Sequence, residues 1–196
     1  MSKKENRRNM LLRYNKERQR NVLAEPGEHE FVLVLDQLKP SFNVGKTFRS
    51  AEAFGAGAVH LVSINAFDPA PAKGSFRKVP AVFHETFTEC HAQLSEQGYR
   101  FFLLSPDDAT SLCAAELPQK SAFILGHEEF GFSFDVQEYP DMQKLSIPQF
   151  GSVQSLNVSI AASVVMYEYV RQWQTKQCKR SETLKLYSRS AQSDKP

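Results

Sequence analysis

Cysteine is scarce: Cys90, Cys113 and Cys178 are odd in number, far apart, and form no Cys-x-x-Cys pair. A disulfide framework or a cysteine-built zinc site is therefore not expected, and the pattern suits the thiols of a reducing cytoplasm. The histidines, His29, His60, His84, His91 and His127, are dispersed, no His-x-x-x-His occurs, and no metal is expected. There is no apolar run of about eighteen residues, so no membrane span is expected. The first residues, Met1 to Arg8, are charged and lack the apolar stretch of a secretory signal, which also points to the cytoplasm. No Gly-x-Gly-x-x-Gly is present, which disfavours a dinucleotide oxidoreductase.

Charge is present in both signs but unevenly placed. The net charge is +2. Residues 1–20 carry +6, residues 171–196 carry +5, and the stretch between them carries −9. Basic ends around an acidic middle suit either a polyanionic partner met by the ends or simply solvated, disordered termini. Three regions are expected: a basic helical arm and linker over 1–29, a globular domain over 30–174, and a basic tail over 175–196.

Within the domain, strand and helix patterns alternate. Continuous apolar runs such as Phe31-Val32-Leu33-Val34-Leu35 suit buried parallel strands. Further strands are expected near 59–63, 82–87, 100–104, 122–125 and 144–147. Helices are expected near 44–54, 88–97 and from about 155 to Gln174. This predicts an α/β fold with a mostly parallel sheet and helices on both faces. The last helix is apolar nearly all round, from Leu156 to Val170, so it must be buried on more than one face. In a chain of this size, one of those faces is expected to meet a second subunit.

Three segments stand out. The first is Asn43-Val44-Gly45-Lys46-Thr47-Phe48-Arg49, running on to Phe54-Gly55. The second is Leu125-Gly126-His127-Glu128-Glu129-Phe130-Gly131-Phe132-Ser133. The third is Ile147-Pro148-Gln149-Phe150-Gly151-Ser152-Val153-Gln154-Ser155-Leu156-Asn157-Val158-Ser159. In this order they resemble the signatures of the SpoU-type (TrmH-like) RNA 2′-O-ribose methyltransferases of the SPOUT superfamily. The resemblance covers about residues 30–173. Phe132 departs from it, standing where the family usually has Leu.

The resemblance implies a C-terminal deep trefoil knot, which periodicity could never suggest. It also implies S-adenosylmethionine as methyl donor, structured RNA as substrate, a homodimer, and no metal. Methyl transfer to a ribose needs the 2′-hydroxyl held in line with the departing sulfur, and its proton must leave as the bond forms. The resemblance gives the central role to Arg49, with Asn43 orienting it and Glu128, Ser155 and Asn157 completing the site.

Other readings of these residues stand beside that one. On spacing alone Arg49 is a partly buried structural residue, paired with Glu52 or Glu128. Asn43, Ser155 and Asn157 are helix caps, and Glu128 is a helix-start carboxylate. Free guanidinium is a poor base, so Arg49 is best read as holding the hydroxyl and a nearby phosphate and stabilising oxyanion charge. Matching family positions place the donor among Ser105, Leu125, Gly126, Ile147, Ser155 and Leu156, with Gly126 allowing close approach to the backbone. His127 and Glu129 have no such match and are expected to face solvent. Local sequence and the basic ends favour tRNA, at a guanosine-18-like position, over ribosomal RNA. A non-catalytic RNA-binding member of the same fold is the remaining alternative.

Overall fold

The computed structural model describes residues 3–106 and 109–193, with side chains described over 4–106 and 109–175. Seven strands form one sheet: β1 (Val32–Asp36), β2 (Ala58–Val62), β3 (Ala81–His84), β4 (Arg100–Leu104), β5 (Thr110–Ser111), β6 (Ser121–Leu125) and β7 (Gln143–Ser146). Their order is β3-β2-β1-β6-β4-β7-β5, and every pairing between them is parallel. The chain builds one half outward from β1, crosses to β4, and then inserts β6 and β7 between strands already laid down.

Among the described residues four α-helices accompany the sheet: α1 (Lys3–Asn21), α2 (Phe42–Ala53), α3 (Phe87–Glu96) and α4 (Val158–Ser193). Alternation within the strands explains the two layers. Leu33, Leu35, Val59 and Leu61 point to one face, where they pack with Val44 and Phe48 of α2 and Ala162, Val165 and Tyr169 of α4. Val32, Val34 and Val62 point to the other, against Phe87, Cys90 and Leu94 of α3. Helix α3 starts at Thr86, whose hydroxyl accepts from Glu89 N–H while the Glu89 carboxylate reaches back to the Thr86 N–H. This is the expected α/β parallel architecture. The strand pairing does not by itself display the knot.

Several expectations are corrected. The short strand β5 is an addition to the expected set; it forms because Thr110 and Ser111 lie beside Leu145 and Ser146. Helix α4 starts at Val158 and continues to Ser193, well past Gln174. The N-terminal arm is not a free appendage. Tyr14 is 2% exposed, stacks on Phe76 and donates its hydroxyl to Asn65 O at 2.7 Å. Asn21 donates to the carbonyls of Phe76 and Val79 and accepts from Ala81 N–H, so α1 is tied to the 65–80 loop and to β3. The segment after it is also pinned, with Gly27 N–H donating to Ala56 O at 3.0 Å. A Cβ at Gly27 would lie 2.4 Å from the Gly55 carbonyl carbon, so only glycine fits there.

Candidate active site

The carboxyl ends of β4, β6 and β7 open onto a cavity of about 400 Å³. This end of a parallel sheet is the usual ligand position. Leu104, Leu125, Leu145, Ile147, Leu156 and Val158 supply apolar wall, and Ser105, Glu128 and Ser155 supply polar groups. All six residues expected at the donor, Ser105, Leu125, Gly126, Ile147, Ser155 and Leu156, are part of this lining. The volume and the mixture of apolar walls with a few polar atoms fit a nucleoside-sized ligand.

A short β-bridge, His127 with Gly131, turns the loop after β6 back on itself. Gly131 takes φ +74°, where glycine is unstrained. At Gly126 an added Cβ would lie 2.7 Å from Gly131 O and 2.8 Å from the Phe132 ring. Its lack of a side chain is therefore required by the loop itself, not only by a ligand. The loop is anchored from below by Asp36 at the end of β1, whose carboxylate accepts from Ser133 N–H and, at 2.7 Å, from the Ser133 hydroxyl. Burial raises the Asp36 pKa, and these two bonds offset part of the rise.

The three signature segments meet in one hydrogen-bond chain. Asn43 Nδ2 donates to Glu128 Oε1 at 2.6 Å, and Asn157 Nδ2 donates to Asn43 Oδ1 at 3.3 Å. Asn157 Oδ1 accepts from Ser159 N–H at 3.0 Å and from the Ser159 hydroxyl at 2.7 Å. Asn157 thus caps α4, as expected, while also entering the site. Ser155 lies two residues before the cap, in the loop, and lines the cavity instead of capping the helix.

Arg49 departs from expectation. It is exposed, on the solvent side of α2, and among the described residues it makes no hydrogen bond or ion pair. Neither suggested partner, Glu52 or Glu128, holds it: Glu52 pairs with Lys78 and Glu128 with Asn43. Asn43, Ser155 and Asn157 do not hydrogen-bond it either, so the protein leaves its guanidinium available to an external group. The reason is helical phase. Asn43 and Ser50 lie on the face toward α4, where Ser50 and Ser163 hydroxyls are 2.8 Å apart, and Arg49 lies about 100° away from Ser50.

His127 and Glu129 both line the cavity; Glu129 faces solvent as expected, whereas His127 is half-buried. His127 Nδ1 accepts from the N–H groups of Glu129 and Phe130, which fixes the loop. Glu129 pairs with Lys39 at 2.7 Å, and that hydrogen bond and charge lower its pKa. The histidines are also less dispersed than the sequence suggests. His60 Nδ1 and His84 Nε2 are 2.9 Å apart in nearly parallel rings, with Cys90 beside them. Two nitrogens of a tetrahedral zinc site would stand about 3.3 Å apart with both lone pairs aimed at the ion. Here the separation and ring alignment are those of a buried N–H···N hydrogen bond.

The model of the SpoU rRNA Methylase family matches residues 30–167. A 23S rRNA (guanosine-2′-O-)-methyltransferase, RlmB, of Xylella fastidiosa is 33% identical over 158 residues, covering 78% of this chain and 63% of that protein. The chain thus spans less than two thirds of the length of such relatives. The SpoU methyltransferase AviRb of Streptomyces viridochromogenes, solved with the cofactor AdoMet, superposes with a TM-score of 0.65 at 27% identity, covering 74% of this chain and 58% of that one. A structure described for the 2-OH methylation of C/U34 on tRNA superposes with a TM-score of 0.66 at 29% identity, covering 76% of this chain and 99% of that one.

Proposed function

The chain belongs to the SpoU rRNA methylase family, and on that footing we propose that it transfers a methyl group from S-adenosylmethionine to a ribose 2′-hydroxyl of structured RNA. The observation that carries this is the joining of Asn43, Glu128 and Asn157 into one chain at the edge of a largely apolar cavity. S-adenosylmethionine, when bound, supplies an electrophilic methyl group on a positively charged sulfur. Ser105, Leu125, Gly126, Ile147, Ser155 and Leu156 would hold it.

The remaining roles belong to this chain's own residues. Arg49, which has no hydrogen bond or ion pair among the described residues, binds the hydroxyl and a neighbouring phosphate and stabilises developing oxyanion charge. Asn43, Glu128 and Asn157 fix the polar wall against which the ribose is placed, and Ser155 contributes its hydroxyl from the cavity lining. The Lys and Arg side chains exposed on α1, including Lys4, Arg7, Arg8 and Lys16, bind RNA phosphates.

Ribosomal RNA is the first substrate reading, supported by the name of the 33% identical relative. Transfer RNA, favoured by the motifs and the basic ends, is the second. Its support is the tRNA-methylation structure that this chain covers almost end to end. A homodimer is part of the proposal. Helix α4 leaves Ile160 52% and Tyr167 58% exposed on one stripe, an apolar face for a second copy.

The deciding experiment is transfer of labelled methyl from S-adenosylmethionine to total RNA, followed by ribose-methylation mapping in cells with and without the gene. One 2′-O-methylated nucleotide should disappear with the gene, in rRNA or in tRNA. An unchanged map, with no label transferred in vitro, defeats the reading. Sedimentation as a monomer at micromolar concentration defeats the dimer.

A further inference from the structure

Three phenylalanines stand in solvent beside this cavity. Phe42 is 61% exposed, Phe130 76% and Phe150 99%. A single exposed apolar side chain is ordinary. These three come from separate segments, and each adjoins a site residue. Phe42 precedes Asn43, Phe130 lies between the lining residues Glu129 and Gly131, and Phe150 follows the lining residue Gln149. Each segment is one that builds the polar chain or the cavity wall.

We infer that Phe42, Phe130 and Phe150 form a stacking rim that takes RNA bases out of their helical stack, so that the substrate is a single-stranded or loop nucleotide and not one held in a duplex. This rests on the proposed RNA reading. Two features of the surface favour nucleic acid as the occupant. Phe42, Lys46 and Arg49 follow one another at helical spacing on the exposed side of α2, so an aromatic face is continued by two cations. Neither cation has a hydrogen bond or ion pair among the described residues, which suits them to phosphates. Aromatic faces interleaved with cations are how single strands are gripped without regard to sequence. The chemistry asks for the same thing. A 2′-hydroxyl must turn toward a methyl donor inside a cavity, and a nucleotide free of its neighbours can do so at lower cost than a stacked one.

The test uses the full-length protein and two fluorescent probes of matched composition, a single-stranded RNA of about twelve nucleotides and the corresponding RNA duplex. Wild type should bind the single strand at least about tenfold more tightly than the duplex. The triple variant F42A/F130A/F150A should lose that preference, while S-adenosylhomocysteine binding and the sedimentation coefficient stay unchanged. Phe130→Trp and Phe150→Trp, which keep a stacking face, should retain it. All three positions are exposed, so folding is not at stake. Equal wild-type affinity for both probes, or a triple variant as good as wild type, overturns the inference and leaves the methyltransferase reading standing. A change in sedimentation would assign the rim to a protein interface and overturn it too. Binding of neither probe at low salt overturns the RNA reading along with it.

Discussion

Asn43 Nδ2 donates to Glu128 Oε1 over 2.6 Å, and this bond dictates the orientation of the amides behind it. An ionised carboxylate only accepts, so Asn43 must present its NH₂ to Glu128 and its carbonyl oxygen to Asn157. Asn157 must then present its own NH₂ to Asn43 and its oxygen to the first turn of α4, where Ser159 N–H donates to it. One acid therefore sets the direction of a chain that joins a helix start, a strand end and a helix cap.

Asn43→Asp preserves shape but reverses that logic, placing a second carboxylate against Glu128. Methyl transfer should fall at least about tenfold, the scale of losing an oriented polar group at a reacting centre. The melting temperature should move by only a few degrees, because the pair is exposed. Activity within twofold of wild type in a label-transfer assay would remove the network from the mechanism.

Arg49→Ala should reduce turnover at least about a hundredfold, as for loss of a charge-stabilising donor. Its side chain makes no hydrogen bond or ion pair among the described residues, so stability and S-adenosylmethionine affinity should be unchanged by thermal melt and calorimetry. Turnover within threefold of wild type would refute its assignment.

Arg7→Gln with Arg8→Gln removes two exposed cations from α1 without disturbing its packed face. RNA binding measured across a salt series should weaken, and the slope of log affinity against log salt should flatten by about 0.7–0.9 for each phosphate no longer neutralised. Parallel lines of equal affinity would show that α1 does not touch RNA.

Tyr14→Ala tests the other side of the same helix. The ring is buried between Phe67 and Phe76, so its removal should cost about 3 kcal/mol or more in urea unfolding. A change under about 1 kcal/mol would return α1 to the status of an independent arm.

The His60–His84 pair predicts acid sensitivity. Burial, and then the neighbouring His84, lower the pKa of His60 to about 3; burial also lowers that of His84, against the raising effect of Glu89. Cys90 beside them, its pKa pushed up to about 12 by burial and by Asp36, stays neutral throughout. Above the unfolded histidine value of about 6.5 the pair is neutral in both states and contributes no pH dependence. Below it the unfolded chain takes up protons that the native pair resists. Stability should therefore be full above about pH 6.5 and fall by up to about 1.4 kcal/mol per pH unit from His60 alone. Urea midpoints between pH 7 and 5.5, above the carboxylate range, read this directly. An equal slope in His60→Asn would assign the effect elsewhere.

Much of this molecule is legible in its sequence, and the misses have physical causes. Apolar runs mark β1 and β4 because strands buried on both faces need no polar alternation. Residues of the cavity lining can be named because Leu125-Gly126 and Ile147-Pro148 lie at or just past strand ends in recognisable segments. Strand β5 escapes because two residues, Thr110 and Ser111, carry no period. Tyr14 and Asn21 escape because their partners lie about fifty residues away, so a helix with few apolar residues reads as a free arm. The exposure of Arg49 escapes because local spacing does not reveal which side of α2 the α4 helix covers. His60 and His84 are separated by 24 residues in sequence but face each other across adjacent parallel strands.

The order in which the sheet is completed bears on how the chain matures. Strands β1, β2 and β3 can pair as they leave the ribosome, but β4 has no neighbour until β6 is made, and β7 comes later still. Until then an emerging chain exposes unpaired edges in the middle of its future sheet, where aggregation and mispairing start. Such non-local closure is also slow relative to helix formation. The cavity walls come from β4, β6, β7 and the start of α4, so a nascent chain ending before Val158 lacks part of that wall. A chain halted there already holds all seven strands, and what it still awaits is the helix whose first turn closes the cavity and is capped by Asn157.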